Sequence, residues 1–456
     1  MRRPLAIALA AAGLCSGCGD NHSAPPYQHF RSRPDLKPPP VRILTAAHDT
    51  APGYVFIAPK KNVAQAGPMI VDGHGQLVWF RPLNTRGVTD FRVQRYGGRP
   101  VLTWWRGRPS HGKGDGNYAI VDESYRTVAR VRPGNGLVGD IHEFMLTPRG
   151  SALMTIFHRV HSGGRPIFEG AVQEVDIATG RVLFEWHSLG RVALAESYER
   201  APRKRSLPYD YFHVNSIDVD TDGNLLVSAR NTHAVYKLDR RTGRTIWRLG
   251  GKRSDFAMGP GTRFAWQHDA RRRPDGTITL FDNEAAPQVG RESRGLVLRL
   301  DMRRMRATLV RQIVHRPRLL AATQGNLQLL PDGHWLVGWG ARPYVTEYAA
   351  NGRRVVFDAR FGYRADSYRA YRFPWNGRPA GRPAIAVSGD AAYVSWNGAT
   401  EVARWQLLAD GRPVDSVAKD GFESRLPIPA DAHSVAVRAL ERDGTVLATT
   451  RTLRTP

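Results

Sequence analysis

Short runs of alternating apolar and polar residues, separated by Gly, Asp and Asn turns, fill residues 44–382 and predict β-hairpins rather than helices. One pattern recurs six times: an apolar residue, usually an Asp, a turn, and then a β-rich stretch. The six copies begin at Val71, Val121, Val175, Leu238, Leu300 and Tyr348. Their spacing of roughly 50–60 residues is within or slightly above the length of a four-stranded repeat.

A second hairpin, built on a Gly turn, lies between successive copies. Its five clear examples begin at Tyr96, Pro148, Thr221, Pro274 and Pro331. The first copy has only a weak equivalent near residues 54–58. Six units of two hairpins each predict a six-bladed β-propeller over residues 44–382, with a solenoid of hairpins as the alternative. The one segment that favours a short helix is 191–201.

The period changes after Arg382. Residues 383–456 contain about seven short strands. Together with Trp396, which we expect to be buried, they predict a small β-sandwich of the fibronectin type III kind. The fold class predicted from sequence is therefore all-β, a propeller followed by a sandwich. Such sandwiches are usually spacers or adhesion elements, and we assign this one no chemistry.

The N-terminus is typical of an export signal. Arg2 and Arg3 precede a short apolar run, and small residues then lead to Cys18. This resembles a bacterial lipobox, so we expect a signal peptide over residues 1–18 and lipidation of Cys18; ordinary secretion with cleavage nearby is the alternative. Residues 19–43 are polar and Pro-rich, which predicts an extended tether. The expected location is the outer side of the cytoplasmic membrane or the periplasm.

The distribution of charge indicates which classes of partner to expect, and the positions of the cysteines indicate whether a disulfide can form. The formal net charge is +25, but the positive residues are spread evenly instead of forming one stripe, which argues against a nucleic-acid partner. A basic surface still attracts anionic substrates and lipid headgroups. Both cysteines lie in the leader, so no disulfide is expected in the mature domain.

Three histidines occupy the same repeat position. His142, His213 and His268 each lie on the loop entering a Gly hairpin, in three consecutive units, beside acidic or amide residues. Equivalent positions should converge at one mouth of the propeller channel. Single histidines are usually structural. Six other histidines do not follow this pattern, and we interpret them as structural: His158, His161, His187, His233, His315 and His334.

A metal bound by the three converging histidines is an alternative, but no spacing typical of zinc supports it. We therefore predict neither metal nor cofactor. The aspartates in the same segments, Asp140, Asp218 and Asp269, also fit simple strand-end or turn roles, an interpretation that we favour for Asp218.

Four segments carry a resemblance to a known family. They read DIHEF from Asp140, FHVNSIDVDTDGNLLVSAR from Phe212, TGRTIWRLGGKRSDF from Thr242, and FAWQHDARRRPDGTITLFDN from Phe264. In this order they resemble the bacterial arylsulfate sulfotransferases, and in particular a shorter, lipoprotein-like branch. The resemblance implies a six-bladed propeller of the cell envelope. It also implies sulfuryl transfer from a phenolic sulfate to a phenolic acceptor without a nucleotide donor.

The resemblance also implies residue roles. His268 matches the histidine that is transiently sulfated, whereas His142, His213 and Arg230 match residues that hold the sulfuryl oxygens and assist proton transfer. These residue types suit the chemistry, because a neutral imidazole is a competent nucleophile and Arg presents a permanent forked donor to an oxyanion. We expect Asn215, Asn283 and Trp266 to contact the substrate. Apolar walls are expected from Trp266 with Trp104, Trp105 and Trp339, unless these four only pack the blades.

Two features depart from the family pattern. Well-known members carry a small β-domain before the propeller, whereas here the sandwich follows it. They also contain a disulfide in the mature protein, which this chain cannot form because it lacks a cysteine pair there. These departures leave the acceptor and the physiological role open. A non-catalytic surface propeller that binds sulfated or aromatic ligands is the main alternative. A hydrolase that passes the sulfuryl group to water is another.

Overall fold

β-Structure accounts for almost all regular elements of this protein. The computed structural model describes residues 26–85 and 87–455, and within them the one helical element is a 3-10 turn, Leu194–Glu196. This turn lies inside the segment 191–201 in which a short helix was predicted. The all-β prediction is confirmed.

The strands are short and follow one another closely along the chain. The first twelve are β1 Val41–Thr45, β2 Tyr54–Ile57, β3 Met69–Val71, β4 Leu77–Phe80, β5 Gly87–Tyr96, β6 Arg99–Ser110, β7 Lys113–Val121, β8 Thr127–Val131, β9 Gly139–Leu146, β10 Ser151–Ser162, β11 Arg165–Asp176 and β12 Val182–His187. The next fifteen are β13 Tyr209–Asp210, β14 Val214–Val219, β15 Leu225–Ala229, β16 Ala234–Leu238, β17 Thr245–Gly250, β18 Ala257–Met258, β19 His268–Arg272, β20 Ile278–Asp282, β21 Arg294–Asp301, β22 Arg306–Val314, β23 Asn326–Leu329, β24 Trp335–Gly338, β25 Tyr344–Tyr348, β26 Val355–Phe361 and β27 Ala370–Phe373. The last eight are β28 Ala384–Ser388, β29 Ala391–Ser395, β30 Arg404–Ala409, β31 Arg412–Ala418, β32 Glu423–Pro427, β33 Ser434–Leu440, β34 Val446–Thr449 and β35 Leu453–Arg454.

All six copies of the sequence repeat are antiparallel hairpins. They are β3–β4, β7–β8, β11–β12, β16–β17, β21–β22 and β25–β26. The five Gly-turn hairpins pair in the same way, as β5–β6, β9–β10, β14–β15, β19–β20 and β23–β24. Each Gly-turn hairpin pairs with the hairpin that follows it, as in the four-stranded sheet β14-β15-β16-β17. The second and third units are joined into one nine-stranded sheet.

The first unit takes its fourth strand from the far end of the repeat region. Strand β27 pairs antiparallel with β2, from Ile57 opposite Ala370 to Tyr54 opposite Phe373. This explains the weak hairpin signal near residues 54–58: the strand that pairs with β2 in place of a hairpin partner comes from residues 370–373. Strand β1 in turn pairs with β26 of the last unit. The strands at the two ends of the repeat region, β1 and β27, are therefore each paired into the sheet of another part of the chain. This pairing covers one edge of the first unit's sheet and one edge of the last unit's sheet.

Burial decreases from the inner to the outer strands. All five residues of β15 are buried, whereas β22 alternates between buried and exposed positions. A strand covered on both faces reads as a continuous apolar run, and one covered on a single face alternates. Apolar clusters between neighbouring sheets form the core.

Part of the predicted tether lies against the body of the protein. Ser32 donates from its backbone nitrogen to a Glu423 carboxylate oxygen at 2.6 Å, and Leu36 is buried. Residues 26–43 therefore pack against the folded protein, and their last three residues begin the strand β1. The predicted signal peptide, Cys18 and residues 19–25 lie outside the described residues. Among the described residues, no helix has the length and apolar character needed to cross a membrane.

The C-terminal residues form two further sheets, β28-β29-β32 and β31-β30-β33-β34 with β35 paired to β33. Their shared core surrounds Trp405, which is fully buried. Trp396, expected in that core, is only partly buried, and its indole nitrogen donates to the carbonyl of Gly381 at 2.8 Å. The sheets contact the second unit, where the Tyr125 hydroxyl, in the turn between β7 and β8, donates to the Gly398 carbonyl at 2.7 Å.

Candidate active site

The innermost strands bring the three predicted histidines together. His142 lies in β9, His213 immediately precedes β14, and His268 opens β19. The ring centroids of His142 and His213 are 5.0 Å apart. The Tyr368 ring bridges the group, with centroid distances of 5.5 Å to His142 and 6.3 Å to His268. His142 and His268 are buried, and only 12% of the His213 side chain is exposed.

Hydrogen bonds fix the tautomer of His268. Its Nδ1 atom lies 2.7 Å from Oδ1 of Asn283 and 3.1 Å from the carbonyl of Trp266. The Asn283 amide nitrogen donates to the carbonyls of Ala321 and Gln324, so Oδ1 must face the imidazole. Both neighbours of Nδ1 are acceptors, and the proton of the neutral ring therefore sits on Nδ1.

The lone pair of His268 is left on Nε2, where it accepts the backbone N–H of Gln324 at 3.2 Å. Burial, and then the positive charge of Arg230, hold the pKa of His268 well below its usual value. The ring is therefore a neutral imidazole at neutral pH. A neutral imidazole with an unprotonated Nε2 is the form that can attack an electrophile.

His213 forms a dyad with Asp210. Its Nδ1 atom lies 2.6 Å from Oδ2 of Asp210, which also accepts from Nζ of Lys113 at 2.7 Å. Burial lowers the pKa of His213 to about 4, against the opposing charge of Asp210. Burial alone would raise the pKa of Asp210, but His213 and Lys113 hold it below its usual value. His213 is thus a neutral base whose Nδ1 proton points at a carboxylate.

A second dyad joins His142 and Asp140. The Nδ1 atom of His142 bonds to Oδ2 of Asp140, while Oδ1 of Asp140 accepts the backbone N–H of Gly114 at 2.9 Å. Asp140 is completely buried. It is therefore an orienting partner rather than a simple strand-end residue, and two imidazoles at the site are each held by a carboxylate.

Arg230 lies over the Trp266 ring, with its guanidinium carbon 4.6 Å from the ring centroid. One terminal nitrogen donates to Asn231 at 2.9 Å and the other to the carbonyl of Ala286 at 3.1 Å. Its buried Nε has no acceptor among the described residues. A buried donor without a partner is costly, so this N–H suits an anionic oxygen of a ligand.

The residues expected to contact substrate have other main contacts. The amide of Asn283 is used entirely in holding His268 and the loop beside it. The Asn215 amide nitrogen donates to the carbonyl of Gln267 at 2.6 Å, which supports the residue before His268, and its Oδ1 has no partner among the described residues. Trp266 is buried, and its indole nitrogen donates to the carbonyl of Pro287 at 2.9 Å. Asn283 is therefore a positioning residue for the histidine.

The other tryptophans suggested as apolar walls pack the sheets. Trp104 lies against Trp79 and Phe91, and Trp105 belongs to the cluster around Tyr118. Trp339 lies in the cluster around Phe281.

Sequence reasoning missed His233. Its ring stacks on Tyr198 at 4.0 Å and meets the Trp266 ring edge-on at 4.3 Å. Burial and the charge of Arg230 lower the pKa of His233 to about 3. The one available signal was its position three residues after Arg230.

Four residues at the site have left-handed backbone conformations. His213, Trp266, Asp269 and Gln324 have φ values of 55°, 58°, 56° and 67°. Residues other than Gly rarely adopt such angles, and such strained conformations are enriched at functional sites. The surrounding sheets hold these four residues in place.

A buried ionic network lies among the same inner strands and loops. Three carboxylates lie within 3.4 Å of three guanidinium groups. The members are Asp90, Arg92, Glu143, Asp269, Arg271 and Arg369. Arg369 is fully buried and reaches Asp90 at 2.7 Å, Glu143 at 3.1 Å and Asp269 at 3.3 Å. Asp269 is therefore part of this network rather than a simple turn residue.

Asp218 lies within β14, and its side-chain Oδ2 accepts the backbone N–H of Arg272 at 2.7 Å. Its Oδ1 lies 4.0 Å from Nη1 of Arg271, at the edge of the ionic network. Both contacts fit the structural role that the sequence favours for it.

Two groups among the described residues bring His and carboxylate ligand atoms within 4.8 Å of one another: His158 with Glu169 and His187, and Asp332 with His334 and Glu347. Neither includes His142, His213 or His268. The alternative of a metal held by those three histidines therefore gains no support.

A comparison with known protein families assigns most of the repeat region to one family. The profile of the arylsulfotransferase (ASST) family matches residues 92–362, more than half of the chain. The chain belongs to the arylsulfotransferase family. The match contains His142, His213, Arg230 and His268, whereas Tyr368 lies outside it. Family membership supports arylsulfotransferase activity in general terms.

The similar solved structures share little sequence identity with this member of the family. A protein of unknown function from Bacteroides caccae is 12% identical with a TM-score of 0.43, covering 70% of this chain and 98% of its own. A catalytically inactive virginiamycin B lyase from Staphylococcus aureus is 10% identical with a TM-score of 0.35, covering 78% and 96%. A Lactobacillus plantarum protein is 11% identical with a TM-score of 0.38, covering 89% and 97%. These similarities carry no functional assignment. No curated protein matches the chain.

Proposed function

We propose that this protein moves a sulfuryl group from a phenolic sulfate to a phenolic acceptor through a sulfated His268, without a nucleotide donor or other cofactor. The observation that carries the proposal is the state of His268: a buried neutral ring, protonated on Nδ1 and unprotonated on Nε2. Such a ring is a ready nucleophile beside the permanent cation Arg230.

In the first half-reaction, Nε2 of His268 attacks the sulfur of the donor, a new N–S bond forms, and the S–O bond to the aryl group breaks. The electron pair leaves with the phenolate oxygen. Negative charge on the sulfuryl oxygens is matched by the free Nε–H of Arg230. Attack requires that the Gln324 N–H, which bonds to Nε2 in the resting site, release the lone pair.

In the second half-reaction, the acceptor phenol gives its proton to His213 and its oxygen attacks the sulfur. The N–S bond breaks and returns the electron pair to Nε2. His213 suits this task because its pKa of about 4 keeps it unprotonated at neutral pH, while Asp210 stabilises the imidazolium that forms. His142 is the second imidazole at the site, and because its Nδ1 is held by Asp140, its Nε2 carries a proton only in the imidazolium form. In that form, which the Asp140 carboxylate stabilises, it donates to sulfuryl oxygens or to the leaving phenolate.

The proposal includes the architecture and the location. The six hairpin pairs, with β27 completing the first unit, support a closed six-bladed β-propeller over residues 44–382. The two C-terminal sheets around Trp405 support a fibronectin type III-like sandwich over residues 383–456. We further propose export, with a lipid anchor at Cys18 on the outer side of the cytoplasmic membrane or in the periplasm.

The test uses the purified protein, 4-nitrophenyl sulfate, and a phenol as acceptor. Nitrophenolate release that rises with phenol and is lost in His268→Ala, with the variant folded by circular dichroism, supports transfer. Release that depends on His268 but not on phenol indicates transfer to water. Undiminished turnover in folded His268→Ala contradicts the assignment of the nucleophile. Binding of aryl sulfates without turnover favours a non-catalytic surface protein.

A further inference from the structure

A second cluster of histidines lies in the third unit, outside the candidate active site. His158 on β10 is directly opposite Glu169 on β11, and His187 on β12 is opposite Ala171, two residues further along β11. Directly opposed residues, and residues two apart on one strand, share a face of the sheet. His158, Glu169 and His187 therefore project from one face of three adjacent strands.

Their ligand atoms are close enough to share one ion. The Nδ1 atom of His158 lies 3.1 Å from Oε1 of Glu169, and Nδ1 of His187 lies 2.9 Å from the same oxygen. Ligand atoms around a tetrahedral zinc ion, with bonds of about 2.0–2.2 Å, are separated by roughly 3.3 Å. Small shifts of the two rings would admit an ion between them.

A second layer of hydrogen bonds orients His187. Its Nε2 atom lies 2.9 Å from Oε1 of Glu185, and the other Glu185 oxygen accepts from Gln173 at 2.7 Å and from Asn135 at 2.8 Å. Metal-binding histidines typically donate their second ring nitrogen to such a carboxylate, which leaves the first nitrogen free for the ion.

We propose that Nδ1 of His158, Oε1 of Glu169 and Nδ1 of His187 bind a divalent ion of the zinc class, with water in the fourth position. Two nitrogen ligands and one carboxylate suit zinc and its neighbours, whereas Ca²⁺ and Mg²⁺ prefer oxygen ligands. Glu169 is buried, while 43% of the His158 side chain and 28% of the His187 side chain are exposed. Solvent therefore reaches the site.

The other histidine–carboxylate group suits an ion less well. Glu347, beside His334, already accepts the Ala51 N–H at 2.7 Å and lies 2.7 Å from Nε of Arg372. That carboxylate is neutralised by an arginine. By contrast, the only side chains that bond to Glu169 among the described residues are the two imidazoles.

Bound zinc would cross-link β10, β11 and β12 and so stabilise the folded protein. The site is separate from sulfuryl transfer, and its test needs no activity measurement. Cys15, Cys18 and His22 near the N-terminus could bind zinc themselves, so the test uses the Cys15→Ser/Cys18→Ser background.

The chelator-treated protein is titrated with ZnCl₂ by calorimetry. We expect one ion per chain, a higher unfolding temperature with zinc, and affinity at least about 100-fold weaker in His158→Ala and His187→Gln. Glu185→Gln should weaken binding about 10–100-fold, because it leaves the ligands in place but releases His187. Two histidine variants serve as matched controls and should bind as the background does: His161→Ala, an exposed residue of the same strand, and His334→Ala.

Failure to take up zinc would overturn the proposal, because the cluster would then be only an ion pair of His187 between two carboxylates. Binding that survives His187→Gln, or is lost in His334→Ala, would also overturn it. If the ligand variants do not fold, X-ray absorption of the zinc-loaded background protein decides. Two imidazole nitrogens with oxygen support the site, and any other first shell contradicts it.

Discussion

The Nδ1 atom of His268 lies 2.7 Å from Oδ1 of Asn283, an amide oxygen whose orientation two backbone carbonyls fix from the other side. The pairing joins the first residue of β19 to the residue that follows β20. It sets the tautomer of the histidine without adding a charge. A carboxylate in the same place would instead favour the protonated ring. An amide is therefore the side chain that keeps His268 neutral and aims its Nε2 lone pair outward.

Replacing the amide by a carboxylate in Asn283→Asp should raise the pKa of His268, because the charged ring gains an anionic partner. The nucleophile would then be protonated at low pH, and the acid limb of the kcat profile should move to higher pH. Asn283→Leu, which removes the acceptor, should lower kcat by about 10²-fold or more at every pH. Steady-state kinetics between pH 4 and 9 measure both effects. A wild-type profile in Asn283→Asp would show that the amide does not control His268.

The acid limit of transfer should reflect His213. Because burial lowers its pKa to about 4, the base stays unprotonated above that pH, and kcat/KM for the acceptor, which reports the second half-reaction, should fall only as the pH approaches 4. Asp210 raises this pKa, so Asp210→Asn should lower it and move the limb to still lower pH. The same variant should reduce the rate at pH 7, since the ring loses its orienting acceptor. An acid limb that does not move in Asp210→Asn would exclude His213 as the titrating base.

The buried ionic network should matter for stability more than any surface pair. Glu143→Gln removes a carboxylate that faces Arg271 and Arg369, which leaves buried positive charge without compensation. We expect a loss of about 3–5 kcal/mol in the free energy of unfolding. Urea denaturation measures it. The matched control is Glu401→Gln, which breaks an exposed pair with Arg378 and should cost under about 1 kcal/mol. Equal losses in the two variants would contradict a stabilising role for the network.

Two variants of Tyr368 distinguish the packing role of its ring from the hydrogen-bonding role of its hydroxyl. Its ring lies between His142 and His268, and its hydroxyl donates to the Asn215 carbonyl at 3.2 Å. Tyr368→Phe keeps the ring and should retain most activity. Tyr368→Ala should cost about 3–5 kcal/mol of stability and lower kcat, since both imidazoles lose a neighbour. Thermal unfolding and kinetics measured on both variants distinguish the roles. Equal activity in the two would show that the ring does not position the histidines.

The repeat region was predictable because its signals are local. An Asp turn or a Gly turn between two alternating runs specifies a hairpin from about ten residues, and every hairpin so predicted is present. His142, His213 and His268 were found because repetition placed them at equivalent points of consecutive units. Their convergence then followed from the inner strands.

Long-range contacts were beyond such reasoning. Arg369 meets Asp90 across 279 residues, a pairing that exists only because β27 completes the first unit. Tyr368 lies two residues before the same strand, which brings it to the site. Trp396 and Trp405 both lie in sandwich strands or their turns, and the sequence alone does not show which of them the facing sheet covers. The role of Asn283 likewise depends on three partners from two other segments of the chain.

Trapping the sulfated histidine tests sulfuryl transfer through His268 most directly. The protein is mixed with 4-nitrophenyl sulfate in the absence of acceptor, quenched rapidly, and examined by intact-mass and peptide-mapping mass spectrometry. We predict one added SO₃ group per chain, on the peptide that contains His268, which disappears on addition of phenol and never forms in His268→Ala. An adduct on another residue, an adduct that persists in His268→Ala, or turnover with no adduct at any quench time would contradict it.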